Sequence, residues 1–160
     1  MKKYLIVIIV LCCMLFVGCK KAELQEIKDE EIFMMEGEAY YIFFYRDGCT
    51  ACERTLPYVL DYLDTISRNS KRYENCRYIY GVNLKKDGES SKIFRTYVKD
   101  NGEGTDGKYF VTGVKEWDDL YIATTPALIS IYVDSSGVKQ AKYLAQGVSK
   151  IRDYLDSCLQ

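Results

Sequence analysis

Apolar and polar positions fall along the chain in blocks of different period, and each block predicts an element. Residues 4–17 are almost wholly apolar and lie between Lys2-Lys3 and the polar stretch 20–23. Residues 24–35 mix Glu, Lys, Ile and Met without Pro or Gly, which predicts a helix ended by Gly37. Residues 39–45 form an unbroken aromatic and β-branched run, the pattern of a strand buried on both faces. Arg46-Asp47-Gly48 breaks that run. Leu56, Val59, Leu60, Leu63 and Ile66 then recur at helical spacing and predict a helix over 49–68. A polar turn over 69–75 leads to a strand over 76–84, carried by Tyr78, Ile79, Tyr80 and Val82. Beyond a turn at 85–89 come a helix over 90–99, a glycine-rich loop over 101–107 and a short strand over 109–114. Residues 128–133 read as a strand, Asp134-Ser135-Ser136-Gly137 as a hairpin turn, and 138–144 as the partner strand. Gly147 opens a last helix with Val148, Ile151, Leu155 and Cys158 on one face.

Alternation of helices and strands ending in a hairpin predicts an α/β layer fold with a mixed sheet. The 160 residues suffice for one domain. There is no internal repeat, low-complexity tract or interdomain linker.

Composition narrows the chemistry. The chain has no His, which excludes Ser-His-Asp and Cys-His catalysis, His-based zinc motifs and any imidazole acid, base or pH switch. Thiols, carboxylates, amines and hydroxyls remain. With a formal net charge of −1 and no long basic tract, nucleic acid is not an expected partner.

The apolar run 4–17 is too short for a helix to span a bilayer, which takes about 20 apolar residues. With Lys2 and Lys3 before it, it has the layout of an export signal. It ends at Phe16-Val17-Gly18-Cys19, which resembles the lipobox of bacterial lipoproteins, although Leu is commoner where Phe16 stands. That resemblance implies cleavage before Cys19 and lipid on Cys19. It gives residues 1–18 as signal peptide, 19–23 as lipidated Cys and spacer, and 24–160 as the folded domain. An ordinary signal peptide or an uncleaved short anchor are the alternatives. The implied location is the extracytoplasmic side of a bacterial cell membrane, where disulfides persist. Of seven Cys, Cys12 and Cys13 would leave with the signal and Cys19 would be lipidated. Cys49, Cys52, Cys76 and Cys158 remain.

Cys49-Thr50-Ala51-Cys52 lies where the buried strand turns into a helix. A helix N-terminus has unpaired N–H groups and a positive dipole end, both of which stabilise a thiolate. The thiolate is the nucleophile of disulfide exchange. A spacing of three places the second sulfur one turn on, on the same side. These residues, Pro57 five positions after Cys52, Thr125-Pro126 before the strand at 127–131, and the final hairpin and helix together resemble the thioredoxin superfamily. The resemblance covers most of residues 24–159. It implies a thioredoxin-like three-layer fold, a mixed central sheet with helices on both faces. It further implies Cys49 as attacking thiolate, Cys52 as resolving thiol, a cis Pro126 facing the disulfide, and Thr125 and Pro126 positioning substrate backbone by strand addition. The redox-active disulfide Cys49–Cys52 would be sufficient, with no metal or organic cofactor. Expected partners are exported Cys-containing proteins or peptides, a membrane thiol-redox partner, and the membrane itself through lipid on Cys19.

The chain departs from the family at several positions. Gly48 stands where thioredoxins often carry Trp, and Phe43 where many carry a buried Asp that helps deprotonate the second thiol. Thr50-Ala51 lacks both Gly-Pro and the His of strongly oxidising members, so Arg46 and Arg54 become candidate thiolate stabilisers, opposed by Asp47. Oxidant, reductant and isomerase all stay open. The long connection, at about 85–123, is either a substrate surface or a solvated excursion. Cys76 and Cys158 read as two buried thiols or a structural disulfide; a four-Cys zinc site lacks ligand spacing in its second half. Trp117, in Glu116-Trp117-Asp118-Asp119, packs on the core or meets a partner, and the strand tyrosines read as packing. The organisation also broadly resembles bacteriocin transport accessory proteins, which implies a second possibility: a thioredoxin-like accessory or binding module for peptide export with little or no redox turnover.

Overall fold

The structure, a computed structural model, describes residues 22–84, 111–122 and 124–160. At its centre is β2 (Ala39–Tyr45), in which every residue from Tyr40 to Phe44 is buried. An unbroken apolar run has no solvent-facing side to offer, so it belongs in the middle of a sheet covered on both faces. Strand β3 (Ile79–Asn83) pairs with β2 in parallel and β4 (Ala127–Val133) pairs with it antiparallel. Strand β5 (Lys139–Gln146) completes a hairpin with β4, and the two-residue β1 (Gln25–Glu26) runs parallel to β3. The order across the sheet is β1-β3-β2-β4-β5.

Strand alternation sends β2 side chains to two cores. Tyr41 and Phe43 meet α1 (Thr50–Arg68) and α2 (Val148–Cys158) through Val59, Tyr62, Leu63, Ile151 and Leu155. Tyr40, Ile42 and Phe44 face the other way, onto Ile32, Val111, Leu120 and Ile122. Each such side chain contributes about 1.5–3 kcal/mol by leaving water, so β2 anchors both layers at once. The second face is covered by segments carrying the 3₁₀ helices Asp29–Glu31 and Trp117–Asp119. Trp117 is half-buried there and packs on the core. The described residues thus form a three-layer α/β structure about a mixed sheet, with α-helices on one face and 3₁₀ helices on the other.

The hairpin turn forms where expected. The Asp134 carboxylate accepts from the Ser136 and Val138 N–H groups at 2.8 and 3.1 Å and from the Ser136 hydroxyl at 2.6 Å. Those bonds hold the Asp134 carboxyl below its ordinary titration range.

Two expectations are corrected. Residues 24–35 are not a helix. Ile27 N–H donates to Gly81 O at 2.9 Å, Gln25 and Glu26 pair with Tyr80 and Gly81, and only Asp29–Glu31 makes a helical turn, a 3₁₀ one. A helix of that length is marginal in water without packing, whereas the exposed edge of β3 offers immediate backbone partners. Residues 111–113 form a turn, not a strand. Even so, Gly113 N–H donates to Ala141 O at 2.8 Å and Ala141 N–H to Val114 O at 2.7 Å, so the turn covers part of the outer edge of β5. Residues 1–21, with Cys12, Cys13 and Cys19, and residues 85–110, with the expected helix over 90–99 and the loop over 101–107, lie outside the described residues. Among the described residues no helix is long and apolar enough to cross a membrane.

Candidate active site

The site forms where β2 ends. Gly48 turns the chain with φ +67°, a conformation in which a Cβ would be strained. The next residue, Cys49, is the N-cap of α1. Its Sγ accepts the Cys52 backbone N–H at 3.1 Å, so the sulfur occupies the place where a Ser or Asp oxygen caps an ordinary helix. Cys52 sits one turn in, and the two sulfurs form a disulfide with a Cα separation of 5.2 Å. Beyond them Thr55 bonds back to Ala51 O at 2.8 Å, and Pro57 lies inside the helix on its exposed side. Pro57 has no N–H to give the Glu53 carbonyl.

The start of β4 completes the site. The Thr125–Pro126 peptide bond is cis. Thr125 directs its hydroxyl at Cys49 Sγ from 3.7 Å, and its carbonyl oxygen lies 3.9 Å from the same sulfur. Pro126 is buried, and its carbonyl accepts Gly147 N–H at 2.9 Å, which ties the loop to the start of α2. The residues read from sequence as a redox pair and its backbone platform are therefore brought together. Cys49 is 7% exposed against 3% for Cys52 and is the sulfur facing Thr125, which gives it the outward position of the pair.

Arg46 and Arg54 lie on the exposed rim, while Asp47 is engaged by the Asn83 side-chain amide at 2.9 Å. Cys49 Sγ meets the Cys52 N–H and Thr125. The hydroxyl contact from Thr125 spans 76 positions and had no local signal in the chain. Phe43 is fully buried and stacks on Tyr45 with ring centroids 5.6 Å apart.

The other two cysteines sit at the far end of the sheet. Cys76 precedes β3, whereas Cys49 follows β2, and the two strands are parallel. The four thiols therefore do not converge, which sets aside a four-Cys zinc site. Among the described residues no group of three or more His, Cys, Asp or Glu could hold a metal ion. Cys76 and Cys158 are free and half-buried, with Cys76 Sγ donating to Cys158 O at 3.2 Å. Cys19 lies outside the described residues.

No protein-family model matches the chain, and no curated protein matches it. Among solved structures, the zinc-bound form of human ERp44 is similar, with 17% identity over 84% of this chain and 31% of that one, and a TM-score of 0.44. The chain thus spans less than a third of that protein's length. A mixed sheet ordered β1-β3-β2-β4-β5, a Cys-x-x-Cys pair capping the helix after its central strand, and a cis-proline facing that pair make the fold thioredoxin-like.

Proposed function

We propose that the chain is a thiol–disulfide oxidoreductase, held on the extracytoplasmic side of a bacterial membrane by lipid on Cys19. The observation that carries the redox reading is the Cys49–Cys52 disulfide at the N-terminus of α1, with Thr125 and the cis Pro126 against its outward sulfur. A substrate thiolate attacks Cys49 Sγ, the Cys49–Cys52 bond breaks, and Cys52 leaves as thiolate. A second substrate thiolate then attacks the substrate sulfur of the mixed disulfide and releases Cys49 as thiolate. Two electrons have passed from substrate to enzyme, and the reverse sequence reduces a substrate disulfide. The helix end, the Cys52 N–H and the Thr125 hydroxyl stabilise the Cys49 thiolate. The substrates in this reading are exported Cys-containing proteins or peptides, and a membrane thiol-redox partner resets the pair.

Cys52→Ser tests it. In cells this variant accumulates mixed disulfides through Cys49, and Cys49→Ser/Cys52→Ser accumulates none. The purified chain shows a defined reduction potential and turns over a disulfide substrate. Correctly folded protein without exchange would overturn the enzyme reading. Mature mass before and after Cys19→Ala tests the anchor separately, and an unlipidated mass that does not change ends that part.

One observation favours a second reading, a thioredoxin-like binding module for exported peptides with little turnover. Phe43, fully buried, stands at the position where many thioredoxins carry a buried Asp. In that case Cys52→Ser traps nothing while peptide binding survives.

A further inference from the structure

Cys76 and Cys158 lie at the end of the sheet remote from Cys49 and Cys52, and the exchange chemistry does not use them. Both are held by structure. Cys76 closes the turn after α1, with its N–H donating to Tyr73 O at 2.9 Å, and the next residue is fixed by Tyr62, whose hydroxyl donates to Arg77 O at 2.9 Å. Cys158 is the last residue of α2, and its Sγ lies 3.7 Å from the Tyr41 hydroxyl. Cys76 Sγ already touches the Cys158 carbonyl at 3.2 Å. Both side chains pack against the core cluster beneath the two α-helices. Each residue ends an element, one in the bend before β3 and the other in the terminal turn of a helix. A disulfide between them would need rotation about χ1 and movement at those ends.

We propose that Cys76 and Cys158 are a second disulfide site, a staple that fastens the C-terminus of α2 to the start of β3. A small-molecule disulfide is a sufficient oxidant. The Cys76 thiolate attacks one sulfur of glutathione disulfide and releases one glutathione. The Cys158 thiolate then attacks the Cys76 sulfur and releases the second. Two electrons pass from the cysteine pair to glutathione, and the two protons end on the glutathione thiols. The site is independent of the exchange reading, because the Cys49–Cys52 pair cannot reach it within one molecule. The staple closes a loop between positions 82 apart, and cross-links over loops of that length restrict the unfolded chain strongly.

The test uses the reduced, folded full chain in detergent, incubated with glutathione disulfide, blocked with N-ethylmaleimide and digested with trypsin. Peptide 73–77 carries Cys76, peptide 153–160 carries Cys158, and peptide 47–54 carries both Cys49 and Cys52. The expected product is peptide 73–77 joined to 153–160 in monomeric protein, with the melting temperature raised by roughly 5–15 °C over Cys158→Ser and over Cys76→Ser treated alike. Both peptides blocked by maleimide, both carrying glutathione, or the joined pair only in dimers would each overturn the proposal. Because peptide 47–54 reports its own oxidation internally, failure of the active-site pair is seen separately. The peptide map needs no variant, so it decides even if neither serine variant folds.

Discussion

A thiolate at Cys49 must be stabilised without an imidazole, because the chain contains none. Beside the sulfur are a helix start, a backbone N–H at 3.1 Å and the Thr125 hydroxyl at 3.7 Å. Removing the hydroxyl in Thr125→Val keeps the branched shape and leaves the charge with one donor fewer. A hydrogen bond to a charged group is worth about 1.5–3 kcal/mol at ordinary length, and at this longer distance we expect a fraction of that. Alkylation of Cys49 in the reduced protein should therefore shift to higher pH, and Thr125→Ser should restore it. The pH profile of Cys49 alkylation measures this directly; superimposed profiles for wild type and Thr125→Val would show that the hydroxyl does not act on the sulfur. The same two residues show how far the site was legible in the chain. The Cys-x-x-Cys spacing and Pro126 are local patterns and could be read. The contact from Thr125 to Cys49 depends on how β4 lies beside β2, and no pattern of neighbouring residues encodes that register.

At the scale of elements, periodicity identified those whose side chains supply their own reason to form. β2 is apolar throughout, α1 has its stripe from Leu56 to Ile66, and the β4–β5 hairpin has Asp134 to close it. It misassigned residues 24–35, where the reason lies elsewhere. The composition there suits a helix, but β3 has an open edge, and Gly81 on that strand makes room for Leu24. A Cβ at Gly81 would lie 2.8 and 2.9 Å from Leu24 Cδ2 and Cγ, and 3.2 Å from Tyr45 Cε1. Gly81→Ala should therefore cost about 1–3 kcal/mol as an overpacking change, with the loss concentrated in β1. Leu24→Ala in the same chain should relieve the clash, so the double variant should lose less than the two singles together by more than about 0.5 kcal/mol. Urea unfolding of the four proteins measures the coupling. Simple additivity would show that Leu24 is not what Gly81 accommodates.

Across the whole molecule, the absence of His leaves no imidazole proton to gain or lose near neutral pH, and the buried phenols give the fold a pH sensitivity in the alkaline range. Tyr40 sits in one core, with its hydroxyl donating to Ile32 O at 2.7 Å; burial first, then the neighbouring Tyr80, pushes its pKa up to about 12 from 10.0. Tyr41 and Tyr62 in the other core, and Tyr45 at the end of β2, are raised in the same direction, each chiefly by burial. A phenol whose folded pKa exceeds its unfolded value contributes its full stability below pH 10.0, where both states hold the proton. As pH rises from there toward 12, the unfolded chain ionises first and the contribution is lost. For Tyr40 alone the loss is on the order of 2–3 kcal/mol, and the others add to it across both faces of the sheet. Stability measured by urea should therefore fall steeply above pH 10. Lys139 also meets this side chain, because its ammonium lies 5.1 Å over the Tyr40 ring and bonds Met35 O. Tyr40→Phe separates the two, since it keeps the ring under Lys139 and removes only the ionisable hydroxyl. The variant should be less stable than wild type at pH 7 by about 1 kcal/mol, the worth of one hydrogen bond, yet lose less between pH 10 and 12, so that the two curves converge. Parallel curves would mean that groups other than the Tyr40 hydroxyl carry the alkaline loss.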